Sequence, residues 1–96
     1  MSDKDFLAII QINGGSSWAR NPSRDKAISN AAKIFKSDWR GLFKLKKGDE
    51  RTVTVVDATS YDNIYWGYDG IFYKNDDGTK GRINEDRIEY AKVKLP

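Results

Sequence analysis

The chain of 96 residues carries 17 Lys or Arg against 14 Asp or Glu, a formal charge of +3, and has neither Cys nor His. Zero Cys removes disulfides, thiol nucleophiles, iron–sulfur clusters and the usual structural zinc sites. Zero His removes the commonest metal ligand and the one side chain that titrates unaided near neutrality, so most hydrolase and metalloenzyme mechanisms lose their usual parts. The length suits one domain over residues 1–96, burying about two-thirds of its unfolded surface, and an aromatic share of 12% is too high for a disordered chain.

In chain order, Phe6-Leu-Ala-Ile-Ile-Gln-Ile12 is an almost unbroken apolar run that stops at Asn13-Gly14-Gly15. It predicts a strand buried on both faces and central in its sheet, and it is too short and wrongly flanked for a signal peptide. No run approaches the roughly 18 apolar residues of a membrane span, and the chain reads as a soluble cytoplasmic protein. A polar loop holding Trp18 and Pro22 follows. Ser23 is placed to cap a helix, with Asp25 in the first turn where the helix dipole favours a carboxylate. Ala27, Ile28, Ala31, Ala32, Phe35 and Trp39 recur at helical spacing, which predicts an amphipathic helix from about Arg24 to Trp39, stopped by Gly41.

Leu42 to Lys47 alternates, turns at Gly48-Asp49, and is followed by an alternating Arg51 to Ala58; the pair predicts a hairpin. Ile64 to Tyr68 and Ile71 to Lys74 flank Asp69-Gly70, the strongest two-residue hairpin signal in the chain. With that turn Tyr68 faces Ile71, Gly67 faces Phe72 and Trp66 faces Tyr73. A turn at Asn75 to Gly78 leads through a polar stretch to a last strand near Arg87 to Lys94. The expected fold is α+β: one amphipathic helix packed on a mostly antiparallel sheet of about five to six strands, in the order β-α-β-β-β-β(-β).

The net charge conceals a division. Residues 1–48 hold ten basic and four acidic groups (+6), and residues 49–96 hold seven basic and ten acidic (−3). Between Trp18 and Gly48 nine basic residues, among them Arg20 and Arg24, face only Asp25 and Asp38. Lys26, Asn30, Lys33, Ser37 and Arg40 fall on one stripe of the predicted helix with Lys36 alongside, and Lys44, Lys46 and Lys47 follow, forming a basic strip suited to phosphates or an acidic protein surface. The second candidate surface is the aromatic hairpin. One of its faces, Ile64, Trp66, Tyr68, Ile71 and Tyr73, reads as core, and the other presents Tyr65, Phe72 and Lys74, two aromatics and a cation fit to stack on bases or anchor a partner.

Other motifs fail on inspection. A basic Gly-aromatic signature of an RNA-recognition sheet is broken at Trp66 to Tyr73 by the turn, and Lys80-Gly81 is followed by Arg-Ile. A calcium loop with Gly78 in sixth place would need ligands at Tyr73 and Asn84. Gly14-Gly15 lacks the glycine pattern and the Lys-Ser/Thr of a phosphate loop. Nothing in their spacing separates the carboxylate pair Asp57 and Asp62 from ordinary turn residues, so no catalytic residue, metal or cofactor is assigned and the chain is expected not to be an enzyme.

The stretch Trp18-Ala-Arg-Asn-Pro-Ser-Arg-Asp-Lys-Ala-Ile-Ser-Asn-Ala-Ala32, following a first strand, resembles the opening of small accessory proteins encoded by bacteriophages, over under a third of the chain. The order of strand, basic helix and antiparallel strands is also similar to that of some small anti-CRISPR proteins, which inhibit bacterial effector complexes by occluding the nucleic-acid path or target site. Those proteins share no common motif, so no site residue is carried over, and the basic balance here departs from their acidic DNA-mimic members. The resemblance implies a phage-type inhibitor or accessory factor that binds a host protein or ribonucleoprotein complex in the host cytoplasm. The residues themselves also fit a direct binder of DNA or RNA that contacts phosphates through the basic helix and strand.

Overall fold

The computed structural model describes residues 4–12, 15–39 and 45–96, and its organising element is β1 (Phe6–Ile12). After it come β2 (Gly15–Asn21), α1 (Arg24–Trp39), β3 (Glu50–Asp57), β4 (Asn63–Gly67), β5 (Gly70–Lys74), β6 (Lys80–Arg82) and β7 (Ile88–Lys94), the last preceded by a 3₁₀ turn at Glu85–Arg87. The described strands form a four-stranded antiparallel sheet in the order β2-β1-β3-β7 and a three-stranded one in the order β4-β5-β6.

The apolar run of β1 has apolar cover on both sides, as its sequence requires. Ala8 and Ile10 point to α1 and join Ala27, Ala31, Ala32, Phe35, Val53, Val55 and Leu95 in one core. Leu7 and Ile9 point the other way and join Val56, Ala58 and Ile83, with Ile64, Trp66, Ile71 and Tyr73 of the small sheet packed against them. Three layers result: helix, four-stranded sheet, three-stranded sheet. The helix begins where the spacing predicts and runs through Trp39, and the expected stop at Gly41 lies outside the described residues. The Ser23 hydroxyl accepts from the Lys26 N–H at 3.3 Å, and the Ser23 carbonyl accepts from Ala27 at 2.9 Å. Three alanines on its inner face allow close approach to the sheet, and Phe35 fills the space they leave.

The fold is α+β, but it has two sheets and seven described strands where one sheet of five or six was expected. β3 already lies between β1 and β7, so the β4–β5 hairpin cannot pair beside it and instead folds over the far face of the sheet. The corner is the 58–62 segment, where Ser60 adopts φ +76°. The expected hairpin of 42–47 with 51–58 does not form over its described part. Residues 42–44 lie outside the described residues, Leu45 and Lys46 are irregular, and β3 pairs with β1 and β7. The turn itself stands: Asp49 N–H donates to the Lys46 carbonyl at 3.1 Å, with Gly48 at φ +90°. The expected loop around Trp18 is strand β2, paired along β1 from Phe6↔Asn21 to Ile12↔Gly15.

The aromatic hairpin forms in a register two residues from the expected one. Gly67 faces Gly70, Trp66 faces Ile71, Tyr65 faces Phe72 and Ile64 faces Tyr73, so the two-residue loop is Tyr68-Asp69. The expected turn would have demanded positive φ at Asp69 as well as Gly70. The observed one requires it of Gly70 alone, at +129°. An even shift keeps every strand residue on its face, but Tyr68 leaves the core for the loop and is fully exposed.

Candidate functional site

The register of the small sheet sets its outer face in rows. Tyr65, Phe72 and Arg82 stand side by side across β4, β5 and β6, and Asn63, Lys74 and Lys80 form the next row. The Tyr65 and Phe72 rings stack at 5.5 Å between centroids with 19° between planes, and Tyr65 remains 52% exposed. Arg82 lies across Gly70, its guanidinium 2.9 Å from where a side chain there would begin. Lys74, Lys80 and Arg82 are exposed and enter no ion pair among the described residues. No outward position of the three strands carries Asp or Glu; the neighbouring acids sit in turns, where Asp62 accepts from the Asp76 N–H, Asp77 from Thr79, and Asp76 from the Asn63 side-chain amide at 3.4 Å. The structure thus brings Tyr65, Phe72 and Lys74 together as the alternation predicts and adds Lys80 and Arg82. These two escape a sequence reading because Lys80-Gly81-Arg82 offers no apolar periodicity and becomes a strand only by pairing with β5.

The basic strip lies elsewhere. Lys26 and Lys33 are exposed on α1, Lys46 and Lys47 are exposed before β3, and Arg40 and Lys44 lie outside the described residues. Lys36 is half-buried and its ammonium donates to the Pro96 carbonyl. Since α1 and the small sheet cover opposite faces of the four-stranded sheet, the two candidate surfaces lie on opposite outer layers. They are not parts of one site. Near the helix start the charge is already compensated. Arg24 donates to both Glu89 oxygens and to Asp25, and its hydrogen bonds hold the Glu89 carboxyl below its usual range.

A third feature was not foreseen. The small sheet covers only part of the four-stranded sheet, and the β4–β5 tip overhangs the rest. Beneath it a cleft of about 530 Å³, bordered by Gln11, Ser16, Trp66, Gly67 and Tyr68, continues into a smaller one of about 150 Å³ that reaches Thr54 and Tyr90. Its floor is two rows of the larger sheet, Ile9–Thr54–Tyr90 and Ser16–Gln11. The Trp66 indole N–H donates to Ser16 Oγ at 3.3 Å, and Trp18 meets Trp66 edge-on at 6.4 Å and 74°. In sequence these residues belong to five strands and a turn with no shared spacing, so only the fold assembles them.

The carboxylates of the predicted turns have structural partners. Burial pushes the Asp57 carboxyl up, but hydrogen bonds from Thr59 and the nearby Arg87 outweigh it and hold the group below its usual range. Asp62 accepts from the Asp76 N–H at 2.7 Å, so it ties two turns together and does not form an acid–base pair with Asp57. Among the described residues no group of three or more Asp or Glu is placed to hold a metal ion, and no helix is long and apolar enough to cross a membrane. Compared with known proteins, the chain matches no protein-family model, no curated sequence and no solved structure.

Proposed function

We propose that this chain is a non-enzymatic binding protein that holds single-stranded nucleic acid on the outer face of β4-β5-β6. The observation that carries the reading is the stacked Tyr65–Phe72 pair beside three cations that enter no ion pair among the described residues. An exposed aromatic pair on a rigid sheet offers stacking worth roughly 1–3 kcal/mol per base, and it needs base faces that a duplex hides. Lys74, Lys80 and Arg82 supply the counter-charge for the phosphates of such a strand. A protein of this kind fits the phage-accessory resemblance of the Trp18 to Ala32 stretch, acting in a host cytoplasm on a strand that is free or held by a nucleic-acid-processing complex.

The test is fluorescence anisotropy with a labelled ten-nucleotide single strand, its duplex form as control, at several salt concentrations. Single strand binds and duplex binds far less, with a log–log salt slope of about −2 from three cations. Tyr65→Ala with Phe72→Ala weakens binding by at least about 30-fold, given the stacking energy per base, while the melting temperature stays nearly constant. Lys26→Glu with Lys33→Glu, on the opposite layer, changes affinity by no more than about threefold because salt screens charges at that distance. Failure of every oligonucleotide at low salt overturns the reading. Capture of a host protein that depends on Tyr65 and Phe72 would then favour a protein-directed inhibitor.

A further inference from the structure

We infer that the cleft beneath the β4–β5 tip is a pocket for a single nucleobase, so that a strand crossing Tyr65 and Phe72 turns past Gly67 and seats one base against Trp66; the choice of ligand class rests on the function proposed above. Charged residues make up 32% of the chain, yet none of the described residues bordering the cleft carries a charge. The part of a ligand that enters is therefore neutral, as a base is and a phosphate is not. The cleft, about 530 Å³ and open to one side, falls in the range of small-molecule pockets and admits a base with room to spare.

The polar groups suit the edge of a base. Gln11 is exposed at the floor, and its side-chain amide makes no hydrogen bond among the described residues, leaving a donor and an acceptor side by side. That pairing is what reads the edge of an unstacked base. The Trp66 N–H is already committed to Ser16 Oγ, which fixes the ring as a wall and leaves the Ser16 hydroxyl proton to donate. Tyr68 and Tyr90 are both largely exposed at the rim, where a base can slide between them and Trp66. Gly67 has open space on its outward side. It continues the outward row of Tyr65 and borders the cleft, and a side chain placed there would meet nothing within 4 Å.

The chain has three tryptophans, so a ¹⁵N-labelled sample gives three indole N–H signals, and adenosine, uridine and methyl glucoside are the probes. Either nucleoside shifts the Trp66 signal saturably and leaves Trp39, on the helix side, in place. Gln11→Ala and Tyr68→Ala, both at exposed positions, each weaken that response about fivefold or more, the worth of one hydrogen bond or ring contact, with the rest of the spectrum unchanged. Tyr65→Ala with Phe72→Ala leaves it intact. A Trp66 signal that stays fixed to the solubility limit of both nucleosides, or that moves only with methyl glucoside, overturns the pocket. Oligonucleotide binding without a Trp66 response overturns the pocket and spares the outer face. A nucleoside response without oligonucleotide binding spares the pocket and removes the function proposed for the sheet.

Discussion

Arg20 shows how far a residue's role can depart from its charge. By count it belongs to the basic excess between Trp18 and Gly48, yet its guanidinium points inward at the corner between the sheets. Nε donates to Asp5 Oδ2, Nη1 to the Asp62 carbonyl at 3.0 Å, and Nη2 to the carbonyls of Ala58 and Tyr61. One side chain thereby satisfies the backbone of the only link from β3 to β4, including the stretch that holds Ser60 at positive φ. Arg20→Ala is expected to cost about 2–3 kcal/mol in urea unfolding, and Arg20→Lys to restore little, since an ammonium cannot serve a fork of acceptors. A loss below about 0.5 kcal/mol, typical of a surface change, would show that the clamp is dispensable. Acid sensitivity also belongs to single residues. Glu89, bonded by Arg24, and Asp57, held down by Thr59 and Arg87 against the upward push of burial, both titrate below their ordinary values of 4.5 and 3.8. A carboxylate with a depressed folded pKa contributes stability that is whole above its unfolded value and is lost as pH falls through the folded one. Melting temperature should stay level down to a pH of about 5 and then decline, and Glu89→Gln with Asp57→Asn should make that decline shallower. An unchanged slope would show that other groups govern acid unfolding.

Among the elements, β2 depends most on its neighbours. Gly-Ser-Ser-Trp-Ala-Arg-Asn has no β-branched residue and little apolar pattern, so its preference as a strand is weak. It forms because β1 offers a full edge and because the end of α1 grips it. Trp39 Nε1 donates to Ser17 Oγ at 3.2 Å, and the Ser17 hydroxyl donates to Asp38 at 2.9 Å. The Trp39 ring lies 2.6 Å from where a Gly15 side chain would begin. Gly15→Ala must therefore displace the indole and should cost about 1–3 kcal/mol as an overpacking change, read by thermal unfolding together with a shift of the Trp39 indole signal. Loss of stability without that shift would place the strain elsewhere. The same contrast explains which elements were legible. The helix and β1 carry their own pattern, through apolar spacing with a Ser cap and through an unbroken apolar run. β2 and β6 are defined by pairing partners, and no local pattern marks them. The faces of the aromatic hairpin were legible because alternation survives an even slip in register; its turn was not, because Asp69-Gly70 looks like the favoured pair while the chain places positive φ on the glycine alone.

At the scale of the whole molecule, alternation tells which side chains share a face but not which sheet will cover it, so the second layer could not be read from the sequence. The charge count misleads in a related way. The half with net charge −3 supplies the cationic face, because the acids around the small sheet sit in turns at Asp62, Asp69, Asp76 and Asp77 while Lys74, Lys80 and Arg82 stand on strands. The two cores that meet at β1 also order events during synthesis. The helix side of β1 can be covered as soon as residues 24–39 have been made, but Leu7 and Ile9 must wait for the small sheet and for Ile83, which closes their core. At roughly 5–20 residues per second, that leaves the most apolar segment of the chain half-clothed for on the order of 2–9 seconds on the ribosome. The strand that unites the finished fold is thus the one a nascent chain must longest protect from its neighbours.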